Sequence, residues 1–321
     1  MPKITALFAI LAVALALSLP AGPCEAQLSR TFVSAAFGND ANNCDRPTPC
    51  RTFQGAHDKT HSDGEIIVLD PGGYGALSVT KSISIVNDGV GEASILVSGG
   101  ATGIAINAGG AGYVNLRGLT IQGIGFGGST GLRLDNAFAL TITNCVVRNN
   151  NSDGIVYQPS LNGTANLALS HTLVADNGGS GINIQPSGTG RANVILNHVE
   201  SYHNSAQGVV VSGLSTTVGS LVSAVAVHSV VAGNLHAGFV TSSSAGTGQP
   251  SLLVFDSVCS NNSLAGFHND TGGSISVAVG GSTVGPNGSG GIDDPAHAET
   301  FGDNYTAGVT GPLASFTLSK Q

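Results

Sequence analysis

The feature that most constrains this chain is an asparagine followed four residues later by a glycine and then by an apolar residue. It recurs at Asn150 and Gly154, Asn177 and Gly181, Asn204 and Gly208, Asn234 and Gly238, Asn262 and Gly266, and Asn287 and Gly291. The apolar residues are Ile155, Ile182, Val209, Phe239, Phe267 and Ile292. Gly103-Ile104 and Gly131-Leu132 extend the series upstream, and the glycine spacings are then 28, 23, 27, 27, 30, 28 and 25 residues. Self-similarity at this period signals a solenoid. Inside each repeat the period is two, as in GINIQ, NVILN and TLVAD, and Gly, Asn and Ser separate the runs. Short runs rich in Val, Ile and Leu with such punctuation are strands joined by turns. Three strands and three turns per repeat predict one coil of a parallel β-helix. Leucine-rich repeats need their own leucine spacing and a helix in each repeat. Calcium-binding nonapeptide repeats need a period a third as long.

Stacked coils rise by about 4.8 Å, the strand spacing within a sheet, so equivalent residues form columns. Asparagine in the turn before the first strand suits left-handed backbone angles and can hydrogen-bond from coil to coil. The glycine lets the backbone bend into the strand, and the apolar residue after it points inward.

This coil pattern resembles the right-handed parallel β-helix proteins of the pectin-lyase-like superfamily. The segment TFVSAAFGNDANNCDRPTPCRTFQGAHDKTHSDGEIIVLDPGGYGALSVTKSISIVNDG resembles the N-terminal cap and first coil of exported bacterial members. The resemblance implies an all-β, right-handed parallel β-helix with an N-terminal cap. It carries little about activity, because the fold hosts lyases, hydrolases, adhesins and tailspikes.

Residues 1–26, MPKITALFAILAVALALSLPAGPCEA, read as a cleaved export signal: Lys3 precedes an apolar run from Ile4 to Leu19, shorter than the roughly 20 residues of a membrane span. Residues 27–65 form the expected cap, and residues 66–321 the β-helix with a C-terminal cap. A secreted or periplasmic location follows, with no membrane span. Cys44 and Cys50 bracket a short polar loop, and an exported protein can keep a disulfide there. Cys145 and Cys259 fall in the short third strand four coil steps apart, roughly 19 Å at strand spacing, beyond disulfide reach. They should remain buried thiols.

Alternation places the second and fourth residues after each repeat glycine on the outer face of the first sheet, where enzymes of the resembled superfamily usually carry their substrate groove. That face is bland except in its last two coils, which present His268, Asp270 and Asp293, with Asp294 beside them. Two carboxylates on neighbouring coils could act as general acid and base, or hold a cation with the histidine. The competing reading is a polar solenoid end that needs solubility. NSDGI at 151–155 is similar to the Asn-Thr-Asp-Gly motif of polygalacturonases. That family's paired aspartates are missing from the next coil, ADNGG, and its His-Gly and Arg-x-Lys motifs have no counterpart.

A second polar column lies six residues before each repeat asparagine: Asn144, His171, His198, His228 and Asp256. Three histidines on successive coils could bind a transition metal. Residues that cap a tight turn explain the column equally, and Asn144 in the first slot favours that, so neither a metal nor a cofactor is expected. Beyond Arg191 the only basic residue is Lys320, against seven acids, and the net charge is −8. This disfavours nucleic acid, whose binding rests on Lys and Arg, and also pectate-type lysis. There is no tryptophan, which leaves Tyr113, Tyr157 and Phe126 for sugar stacking.

These readings point to an exported structural or binding module of the cell envelope or extracellular space, partnered by a carbohydrate or another cell-surface protein. The alternative is a polysaccharide hydrolase or lyase working through His268, Asp270 and Asp293.

Overall fold

The computed structural model describes residues 27–125, 127–270, 276–308 and 316–317. Residues 1–26, expected to be an export signal, and Phe126 lie outside the described residues. The chain winds into coils whose strands stack in three parallel ladders. The first sheet runs from Leu77–Val79 to Phe267–Asp270, with Ile292 bridged beyond Phe267. The second runs from Leu28–Val33 and Thr60–Val68 to Ala298–Thr300 and Phe316–Thr317. The third runs from Gly72–Gly73 to Tyr305–Thr306. The parallel sheet therefore already begins at Leu28. Among the described residues no helix is long and apolar enough to cross a membrane.

Register follows the repeat: Ile155 pairs with Ile182, Ile182 with Val209, Val209 with Phe239 and Phe239 with Phe267. All five are at most 1% exposed, and each such side chain contributes about 1.5–3 kcal/mol through burial. Phe239 and Phe267 stack with centroids 5.2 Å apart. The apolar column is the spine of the core.

The repeat asparagines form a buried ladder beside that spine. Each donates its backbone N–H and its Nδ2 to the Oδ1 of the asparagine one coil on, from Asn150 through Asn177, Asn204, Asn234 and Asn262 to Asn287. A second Nδ2 contact reaches a strand carbonyl on the preceding coil, as from Asn204 to Val174. Buried amides must find partners, and here each rung supplies them to the next.

Two expectations about this motif are corrected. The ladder asparagines do not adopt left-handed angles; the residue before each of the first five does, with φ of 56° at Asn149, 56° at Asp176, 50° at His203, 66° at Gly233 and 57° at Asn261, while Pro286 precedes Asn287. The glycine is required for close approach rather than for a bend. A methyl at Gly208 would stand 2.7 Å from Asn234 Nδ2, 2.7 Å from the Gly238 carbonyl oxygen and 2.2 Å from Val231 Cγ1. No side chain fits between the spine and the ladder.

A second left-handed column, φ 47–54°, is Asn144, His171, His198, His228 and Asp256. Directly after it, serines turn the corner into the third sheet. The amides of Val199, Ser229 and Ser257 donate to the hydroxyls of Ser229, Ser257 and Ser282 one coil on.

The N-terminal end is closed by a short helix, Phe53–Lys59, which buries Phe53, Ala56 and His57. Thr52 caps it, and Asp40 accepts the amides of Arg51 and Thr52 and the Thr52 hydroxyl at 2.8–2.9 Å. A disulfide joins Cys44 to Cys50, with Cα atoms 4.6 Å apart. Beneath the helix Phe53 packs against Tyr74 with the rings tilted by 34°, and the Tyr74 hydroxyl donates to Asp70. Cys145 and Cys259 are free thiols, 2% and 1% exposed. Cys145 sits one residue ahead of the strand Val146–Arg148, in the corner occupied by serine in later coils.

Candidate functional site on the outer face of the first sheet

The outward column of the first sheet begins with residues that satisfy one another. Arg133 Nε donates to Asp135 Oδ2 at 3.1 Å, and Gln158 Nε2 donates to Asp135 Oδ1 at 2.8 Å. Asp153, from NSDGI, accepts the Ser180 amide at 2.7 Å and Asn183 Nδ2 at 3.0 Å. That carboxylate fastens one coil to the next.

Further along, Val240 faces outward yet is only 7% exposed. It floors a depression of about 260 Å3 walled by Gln207, His236, Leu264, His268, Ser289 and Asp293. His268 and Asp293 are each second after their repeat glycine, so they occupy the same outward position on adjacent coils. The sequence-predicted pair therefore meets: His268 Nδ1 hydrogen-bonds Asp293 Oδ2. Asp293 Oδ1 also accepts the Asn269 amide at 3.3 Å, and its backbone N–H donates to the Phe267 carbonyl at 3.1 Å. An imidazole held through Nδ1 has Nε2 left for a ligand, and the carboxylate fixes the ring.

Asp270 is not part of this pair. It lies one pleat further along, exposed, opposite Ser242 in the register, and makes no ion pair among the described residues. Asp294 pairs instead with His297 Nδ1 at 2.6 Å. Gln207, His236, Leu264 and Ser289 were not singled out from sequence. They stand one or two residues before the repeat glycines, in the turn column that overhangs the sheet, and that nearness to the glycine is the signal that marks them.

His171, His198 and His228 stack at the edge of the solenoid, with centroids 4.7 and 5.0 Å apart and planes 7° and 27° from parallel. Parallel rings on successive coils aim no nitrogens at a common point. His228 reaches Asp256 at 3.9 Å. Among the described residues no group of three or more His, Cys, Asp or Glu is arranged to hold a metal ion. Of the aromatics proposed for sugar stacking, Tyr157 is withdrawn. It is third after Gly154, hence inward, and is 1% exposed. Tyr113 is 53% exposed.

Residues 102–284 match the family described as right handed beta helix region. A search of curated proteins finds no match. Among solved structures, pectate lyase Pel9A superposes with a TM-score of 0.65 at 16% identity, covering 91% of this chain and 81% of that one. The A-module of mannuronan C-5 epimerase AlgE4 from Azotobacter vinelandii gives a TM-score of 0.48 at 14% identity, covering 80% and 91%. Alginate lyase from Paenibacillus sp. gives 0.47 at 13% identity, covering 90% and 98%. At these identities the likeness is one of fold.

Proposed function

Because this chain belongs to the right handed beta helix region family, we propose that it is an exported β-helix module that binds a carbohydrate on the outer face of its first sheet. The observation that carries the reading is the depression over Val240, where an apolar floor meets Gln207, His236 and the His268–Asp293 pair. Small-molecule sites commonly combine an apolar base with a few convergent polar groups. The export signal read at 1–26 and the Cys44–Cys50 disulfide support an extracytoplasmic setting.

A second reading rests on the same pair. His268 oriented by Asp293 has the form of a general base, which favours a polysaccharide hydrolase or lyase. Titration of neutral and acidic oligosaccharides by calorimetry, together with a reducing-end assay, separates the two. Binding without turnover that is weakened in His268→Ala supports the module. Chain cleavage that is lost in Asp293→Ala establishes the enzyme. If no oligosaccharide binds, the carbohydrate reading is overturned.

A further inference from the structure

A separate concavity lies where the first sheet bends into the second. Register explains its origin. From Leu134 to Ala139 the strand takes five residue steps, whereas the paired path on the preceding coil, Ile106 to Tyr113, takes seven. On the following coil, Tyr157 to Asn166 takes nine. One short corner therefore sits between two longer ones. Bulged pairing between Ile106 and Tyr113 marks the first, and the extra residues of the second form the ridge strand Ser160–Leu161. The result is a recess of about 350 Å3, within the range of small-molecule sites, about 300–1,000 Å3.

The recess is lined by Asn136, Phe138, Pro159, Ser160, Asn162 and Thr164, among which no side chain ionises. The amides of Asn136 and Asn162 and the hydroxyls of Ser160 and Thr164 make no hydrogen bond to other described residues, so their capacity faces the recess and solvent. Amides and hydroxyls both donate and accept, as ring hydroxyls do. Phe138 supplies an apolar wall, and its ring is held 5.1 Å from that of Tyr113 at a 54° tilt. A charged ligand would find no counter-ion in this lining and would lose solvation on entry.

We infer that this corner recess is a second binding site, distinct from the depression over Val240, and that it takes a neutral saccharide. The sugar's C–H face packs on Phe138, and its hydroxyls bond to Asn136, Ser160, Asn162 and Thr164. The lining itself offers a uronate no counter-ion, Arg191 standing one coil on from Thr164.

The test is saturation-transfer NMR and calorimetry of the full chain with cellobiose, maltose, mannobiose and lactose, using digalacturonate as the charged control. At least one neutral disaccharide is expected to bind. Phe138→Ala should weaken it at least about tenfold, as loss of an aromatic contact warrants. Asn162 is exposed, so Asn162→Asp tests the site without disturbing the core and should weaken binding likewise. The component of binding that Phe138→Ala removes should persist in His268→Ala, whatever that variant does to binding at the outer-face depression. The inference is overturned if none of the four sugars binds, if digalacturonate binds equally well, or if binding survives Asn162→Asp. Binding lost only in His268→Ala assigns the sugar to the outer-face depression; that outcome sustains the proposed function and removes the second site.

Discussion

Asn204 Oδ1 accepts two hydrogen bonds from one residue, the backbone N–H of Asn177 at 3.2 Å and its Nδ2 at 3.0 Å. One carboxamide oxygen thereby holds both the turn and the side chain of the coil before it.

Asn204→Ala should be severely destabilising. It removes the acceptor for two buried donors of Asn177 and the donor to Asn234. Each buried group left unpaired costs about 1–3 kcal/mol. Urea unfolding should show a loss of at least about 3 kcal/mol. Asn150→Ala, at the end of the ladder, should cost less, since no coil donates to its Oδ1 among the described residues.

Gly208→Ala tests close approach. A methyl there collides with Val231, Asn234 and Gly238, and overpacking costs about 1–3 kcal/mol. Gly163→Ala is the control, since a methyl there meets nothing within 4 Å, and its melting temperature should match the parent. Equal stability of the two variants would contradict the geometry.

Asp70 makes the N-terminal end acid-sensitive. Burial pushes its carboxyl up, but hydrogen bonds from Ser34, Tyr74 and the amides of Ala35 and Ala36 outweigh that and hold it below its ordinary 3.8. A depressed carboxylate contributes stability above its unfolded-state value and loses it as pH falls through the folded one. Melting temperature should therefore fall below about pH 4, and Asp70→Asn should start lower and fall less steeply.

The two free thiols should resist modification. Burial pushes Cys145 up to about 11, and Cys259 is raised further, so neither supplies thiolate at neutral pH. Alkylation of the native protein should label neither, whereas non-reducing alkylation in denaturant should label both and leave the 44–50 bridge intact. A native-state label on Cys259 would place it outside the core.

At the candidate site the aspartates should separate. Asp293→Asn disturbs the partner of His268 and should weaken carbohydrate binding at least about tenfold, the loss of a charged hydrogen bond. Asp270→Asn should leave calorimetric affinity within about twofold, since a surface substitution away from such contacts changes little.

The coil architecture was legible because its two demands are local and repeat together. An asparagine must meet the next asparagine, and nothing larger than glycine fits beside it. The His268–Asp293 contact was legible for the same reason: both residues lie at one offset from a repeat glycine, and stacking turns equal offsets into neighbours. The overhanging walls from His236 and Leu264 were not, because the turn before a strand shows no alternation to reveal its direction. The serine corner was hidden by composition, since serine is common in every loop of the chain. Tyr157 was miscast by aromatic type, although its place in the alternation already turned it inward.

The asparagine ladder also has a direction. Every inter-asparagine bond runs from an earlier coil, which gives hydrogen, to a later coil, which receives it. Losing a coil from the C-terminal side strands two donors, the backbone N–H and one side-chain N–H of the asparagine before it, while losing one from the N-terminal side strands an oxygen and one side-chain N–H. Buried oxygens tolerate an idle lone pair better than buried N–H groups tolerate isolation. The two ends of the solenoid are thus unequal. Trimming should be borne more easily from the side of Asn150 than from the side of Asn287, and the stack is vectorial although its strands all run alike.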